Sequence, residues 1–162
     1  MYNLSSFGKN NRLRAAYIDF LSMAEWENPT AITLTMKKGQ YFNHIYVPLD
    51  EILCSRNMRF FLNRLNCKIL GNARRKNKIK TVAVLERDRD GRFHYHLAID
   101  RFSFIFADEF YHEICRCWQK TDWHRKIVDE RVSADDGWID YIMKLRCKAE
   151  YSEYIDCFNC HK

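Results

Sequence analysis

The sequence predicts an α+β domain: a central antiparallel sheet with helices packed on one face and an active site on the other. Three observations predict it. Apolar residues recur at helical spacing in some segments and alternate with period two in others. The segment Asp88-Arg89-Asp90-Gly91 joins two of the alternating runs as a hairpin turn. A chain of 162 residues, 47% hydrophobic and 15% aromatic, is also long and apolar enough for one packed core. An antiparallel sheet can bury one face against helices and keep the other for a site.

Element by element, Leu13, Ala16, Tyr17, Phe20, Leu21 and Ala24 fall at helical spacing over 11–25, and Glu27-Asn28-Pro29 ends that helix. Ala31-Ile32-Thr33-Leu34-Thr35-Met36 alternates apolar with β-branched polar residues and reads as a strand closed by Lys38-Gly39. A helix follows from about Leu49 to Leu70, with Asp50 as N-cap and Gly71 as stop. Ile52, Leu53, Phe60, Phe61 and Leu65 suit its packed stripe. Lys80 to Glu86 and Arg92 to Ile99 are the strands of the hairpin. A helix near Asp108 to Trp118 and a strand from Lys126 to Val132 come next. Ser133-Ala134-Asp135-Asp136 opens a last helix through Trp138 and Tyr141 to about Lys148. The order α–β–α–β–β–α–β–α contains no repeat and no linker. Residues 1–150 therefore read as one domain of ferredoxin-like or RRM-like kind, followed by a Cys-containing tail, 151–162.

Composition narrows the classes. No apolar run approaches the roughly 18 residues that span a bilayer, so no membrane partner is expected. Met1 to Arg14 is polar and basic without the features of a signal peptide, which points to the cytoplasm of a bacterial or archaeal cell. The net charge of +6 suits a polyanion. Arg74, Arg75, Lys76, Lys78 and Lys80 crowd one stretch, either a solvated loop or an edge that contacts phosphates. Seven cysteines are an odd number for a disulfide framework and read as reduced thiols. Cys157-Phe158-Asn159-Cys160-His161 has haem-attachment spacing, but that chemistry needs export. As a zinc site it lacks a second well-spaced pair, leaving free thiols on a mobile tail as the expectation.

The chemistry concentrates in Glu86 to Ile99. Residues two apart in a strand share a face, so His94, His96 and Ala98 project one way while Phe93, Tyr95, Leu97 and Ile99 project into the helices. Two imidazoles on one face make a pair of nitrogen ligands, although two surface histidines beside a core tyrosine would give the same pattern. Register decides whether Glu86 joins them. A three-residue loop with Gly91 left-handed sets Glu86 opposite His94, whereas a two-residue Asp90-Gly91 turn would pair Arg87 with His94 and turn Glu86 away. On the last helix Tyr141 and Lys144 stand i, i+3 and reach the same side. An ammonium near a phenol favours the phenolate and offsets charge that builds on a phosphorane.

These motifs resemble those of the HUH endonucleases. His94-Tyr95-His96 is similar to the His-hydrophobic-His motif, Glu86 before a short turn to the third metal ligand, and Ile32-Thr33-Leu34-Thr35 to the loosely defined first motif. Trp138-Ile139-Asp140-Tyr141-Ile142-Met143-Lys144 resembles the Tyr-x-x-Lys motif. The resemblance spans roughly 31 to 146, in the order of rolling-circle replication initiators. In relaxases the nucleophile precedes the histidines, and neither Tyr2 nor Tyr17 stands in a matching context. Tyrosine transposases of the superfamily more often carry an amide where Lys144 stands.

The resemblance implies a nickase and strand-transfer enzyme that initiates rolling-circle replication of a plasmid, phage or mobile element. Its metal would be Mg²⁺ or Mn²⁺, held by His94, His96 and Glu86; by ligand chemistry alone Zn²⁺ also fits. Tyr141 is the implied nucleophile and Lys144 its partner, with Tyr151 and Tyr154 as rivals not followed by lysine at that step. The implied partner is single-stranded DNA at an origin or hairpin, and no oligomeric state is implied. Thr33, Thr35, Lys37, Lys38, Arg74, Arg75, Lys76 and Lys78 are candidate DNA contacts. Trp118, Trp123 and Tyr46 are candidate base-stacking rings, with core packing as the competing role. No G-x-x-x-x-G-K-[ST] stretch supplies a helicase motor in this chain. The alternatives are a tyrosine transposase and a non-catalytic single-stranded nucleic-acid-binding module.

Overall fold

A computed structural model of the chain describes residues 26–131, 154–156 and 159–161. The expected helices over 11–25 and 133–148 lie outside them, as do Tyr141, Lys144 and Tyr151.

The first strand, β1 (Pro29–Met36), is followed by a two-stranded hairpin, β2 (Gly39–Phe42) and β3 (Ile45–Pro48). The long helix α1 (Glu51–Leu70) comes next, then a short 3-10 turn, Gly71–Arg75. After it come β4 (Thr81–Arg87), β5 (Phe93–Asp100), helix α2 (Ala107–Gln119), β6 (His124–Arg131) and β7 (Tyr154–Ile155). The main sheet has the order β6-β1-β5-β4-β7, and every pairing in it is antiparallel.

Local chemistry sets the boundaries. Asp50 caps α1, its side chain accepting from the Leu53 N–H at 2.7 Å. Gly71, at φ +52, ends it by donating its N–H to the Cys67 carbonyl. The packed stripe of α1 is Cys54, Met58, Phe61, Leu62 and Leu65, at the i, i+4, i+7 repeat of a helix face. Ile52 and Phe60, expected in that stripe, are exposed instead. They sit one helical step off the buried face, and the Arg64 guanidinium covers the Phe60 ring at 4.4 Å. Two buried asparagines tie α1 down. Asn66 accepts the Ile79 N–H at 2.8 Å, and Asn57 donates to Thr121 Oγ1 at 3.2 Å.

The core lies between α1 and α2 and one face of the sheet. Ile32, Leu34, Met36, Ala83, Leu85, Phe93, Tyr95, Leu97 and Ile99 come from the strands, and Phe110, Ile114, Cys117 and Trp118 from α2. Trp118 and Trp123 are both buried, so neither ring is available to stack on a base. On the opposite face Ala31, Val82, Val84 and Ala98 are buried as well. That face is therefore not open along its whole length, as the sequence suggested, but only where the histidines stand.

Two further features depart from expectation. The hairpin β2–β3 has no turn signal in the sequence, because Asn43-His44 lacks the usual glycine; both residues take positive φ, 47° and 66°. The tail is docked where it is described. The Asp156 N–H donates to the Ala83 carbonyl, Thr81 and His161 exchange backbone hydrogen bonds, and Asp156 and Asn159 are buried. Cys54, Cys67, Cys115, Cys117 and Cys160 are free thiols.

Candidate functional site

The hairpin between β4 and β5 fixes the site. Glu86 pairs with His94 and Arg87 with Phe93. Asp88 donates its N–H to the Arg92 carbonyl, leaving a three-residue loop in which Gly91 takes φ +75. This is the register that sets Glu86 on the face of His94 and His96. On the other side β1 pairs Thr35 with His94 and Thr33 with His96. Paired residues share a face, so three strands present threonines, imidazoles and carboxylates together.

Each imidazole is held at both nitrogens. His96 Nδ1 lies 3.1 Å from Thr33 Oγ1 and its Nε2 lies 2.6 Å from Glu86 Oε2. His94 Nδ1 lies 3.2 Å from Thr35 Oγ1 and its Nε2 lies 3.0 Å from Asp88 Oδ2. An ionised carboxylate only accepts, so in the neutral rings each Nε2–H donates to its carboxylate and each Nδ1 accepts a threonine O–H. The hydrogen bond from His96 is the main cause holding the Glu86 carboxyl below its usual range. For Asp88, burial works against ionisation, but hydrogen bonds from His94 and from the Arg92 N–H outweigh it, and the carboxyl is lowered overall.

Asp88 is not singled out by the sequence, where it reads only as a turn residue. The available signal was parity: it lies two residues from Glu86 on the same strand edge. Thr33 and Thr35, anticipated as DNA contacts, have their hydroxyls on the two rings. Lys37 is half-buried, its Nζ donating to Gln40 Oε1 at 3.3 Å and to the Asp122 carbonyl at 3.1 Å, while Lys38 is exposed. Both belong to the histidine end of the sheet, just past Met36. The 74–80 stretch does not. Lys80 precedes β4 at the opposite end, about 20 Å along the strand from Glu86. There Lys76, Lys78 and Lys80 rim an open cavity of about 650 Å³ with Phe102 and Phe104. Arg74 is engaged with the Gly71 carbonyl at 2.7 Å, and Arg75 is exposed.

The donors are two imidazoles and two carboxylates, a set that suits a divalent cation by its chemistry. As they stand they form two separate pairs: among the described residues, no three His, Cys, Asp or Glu side chains are gathered around one point. No helix among them is long and apolar enough to cross a membrane.

An antiparallel sheet backed by helices, with paired histidines on the other face, is a frame for chemistry on an extended ligand. The family model of the replication-associated protein ORF2 matches residues 29–150, and the chain belongs to this family of rolling-circle replication initiators. No curated protein and no solved structure matched it.

Proposed function

We propose that the chain nicks and rejoins single-stranded DNA at a replication origin, with Tyr141 as nucleophile and a divalent metal, Mg²⁺ or Mn²⁺, at His94 and His96. The observation that carries this reading is the clamped histidine pair with Glu86 and Asp88 beside it, in a chain of a replication-initiator family. His94 and His96 would hold the ion through Nε2, with Glu86 the expected carboxylate ligand and Asp88 a second one within reach. A bound divalent ion would supply Lewis acidity toward the scissile phosphate.

The residues of the chain divide the remaining work. The Tyr141 phenol gives up its proton and its oxygen attacks phosphorus in line; the bond from phosphorus to the 3′-oxygen breaks, and that oxygen takes a proton. A 5′-phosphotyrosine remains, and a later 3′-hydroxyl can reverse the step and join strands. Free tyrosine titrates near ~10, so the Lys144 ammonium at i+3 has a task in favouring phenolate. Geometry is compatible with a moving tyrosine. Arg131 and Tyr154 sit on opposite edges of the sheet, so the connection that carries Tyr141 and Lys144 bridges four inter-strand spacings, on the order of 19 Å.

The test is covalent capture. Wild-type protein with Mn²⁺ and single-stranded oligonucleotides from its replicon's origin is expected to give a size-shifted protein–DNA adduct. Tyr141→Phe should abolish it, while Tyr151→Phe and Tyr154→Phe should not. An adduct that persists in Tyr141→Phe would refute the assignment.

A further inference from the structure

We propose that the β2–β3 hairpin is a stacking arm that grips bases of the single strand next to the histidine pair, an inference that rests on the nicking reading above. Its position is the first argument. Thr35 stands opposite His94, and β1 ends one residue later at Met36, so the chain enters the hairpin directly from the site end of the sheet. The root is firm: the Lys37 N–H donates to the Trp123 carbonyl at 3.0 Å and the Leu49 N–H to the Lys38 carbonyl at 2.9 Å.

The two faces of the arm differ. Phe42 pairs with Ile45, and the Phe42 ring stands edge-on to Trp123 at 5.8 Å, while Val47 packs against the core. The other face carries the cross-strand pair Tyr41 and Tyr46, rings 5.3 Å apart, with 72% and 51% of their surfaces exposed. Gly39 belongs to this arrangement. A Cβ there would collide with the Tyr46 ring, so the missing side chain lets that ring lie across the strand. Two aromatic rings held out in water on a short hairpin have no folding purpose, and an exposed apolar patch of this kind marks a binding surface.

Charge identifies the occupant. From Lys37 to Leu49 the chain contains no acidic residue, and Lys37, Lys38 and His44 lie within it. Arg92 adds a further cation at the root, its guanidinium reaching toward the Met36 carbonyl at 3.5 Å. Aromatic faces among cations without anions match a strand whose bases stack and whose phosphates are negative. Stacking of this kind tolerates any base, so the arm would hold and orient the strand while sequence choice lies elsewhere.

The test is binding without chemistry. In EDTA, fluorescence anisotropy with a mixed-sequence single strand of about 20 nucleotides reads affinity alone. Tyr41→Ala with Tyr46→Ala is expected to weaken binding about tenfold or more, and Tyr41→Phe with Tyr46→Phe to retain it. Tyr41→Ala alone, at the more exposed ring, gives the same direction if the double variant fails to fold. Should the wild type bind and the alanine variants bind equally well, the arm is refuted and the nicking reading stands. If the wild type binds no single strand, both fall. A dimer in solution that Tyr41→Ala dissolves, with DNA affinity unchanged, would assign the arm to a second copy and overturn the proposal.

Discussion

At the scale of single residues, the site is a set of side chains whose hydrogen bonds leave them little freedom. A metal-bound imidazole normally donates its other N–H to an outer partner, which fixes ring orientation and tautomer. Thr33 and Thr35 are positioned for that task, because a hydroxyl can accept from Nδ1–H when Nε2 holds an ion and donate to Nδ1 when it does not. Thr33→Val and Thr35→Val keep the β-branched shape suited to a strand and remove only the hydroxyl. Each is expected to weaken Mn²⁺ binding about tenfold to a hundredfold, read by isothermal titration. Affinity unchanged in both variants would show that the rings are oriented by packing alone. The histidine pair was legible because strand parity is simple; Asp88 was not, because a turn aspartate carries the same letter whether it serves the backbone or a neighbouring ring. Here it serves both, one oxygen on the Arg92 N–H and the other on His94.

Among the elements, the β4–β5 hairpin decides whether the carboxylates meet the imidazoles at all. A slip of one residue would turn Glu86 to the other face of the sheet. Gly91 guards against that slip by taking φ +75, a conformation that costs an L side chain roughly 1–2 kcal/mol. A Cβ there would meet the Arg87 guanidinium at 3.5 Å, ordinary contact, so the cost of Gly91→Ala is conformational and not steric. The variant is expected to melt roughly 2–4 °C lower in a thermal scan, with Gly91→Asn less affected because asparagine tolerates this region. Equal melting of Gly91→Ala and wild type would mean that the turn does not store the register. The sequence left two turns open at this hairpin, since Asp-Gly serves both; the paired strands on either side settled it. The β2–β3 hairpin escaped notice for a related reason. Its turn uses Asn43-His44 in place of Asn-Gly, and its exposed tyrosines break the apolar-in, polar-out pattern by which a strand is read. The long helix α1 was legible to the residue at both caps, yet its buried stripe was shifted, because large apolar residues such as Phe60 can lie on the surface under an arginine.

Across the whole molecule, the tail joins the histidine strand through one buried carboxylate. Tyr95 stands between His94 and His96 and points to the core side, where its hydroxyl donates to Asp156 Oδ2 at 2.7 Å. The same carboxylate accepts from Ser55 Oγ at 3.1 Å and from Asn159 Nδ2 at 2.7 Å, which ties α1, β5 and the tail together. Burial and the adjacent carboxylate push the Tyr95 phenol far up, so it stays a proton donor at any working pH. No periodicity in the sequence announces this link, because its partners are 61 and 101 residues from Asp156. Tyr95→Phe removes one hydrogen bond to a charged group, at an expected cost of roughly 1.5–3 kcal/mol in denaturant unfolding. A chain ending at residue 150 also loses β7, which uncovers the edge of β4 and invites association through it. The decisive measurement combines the two changes. If Tyr95 acts through the tail, Tyr95→Phe should cost clearly less in the shortened chain than in the full one, because its partner is already gone. Equal costs in both backgrounds would show that the phenol stabilises the strand by packing, and that the tail and the histidine pair are energetically independent.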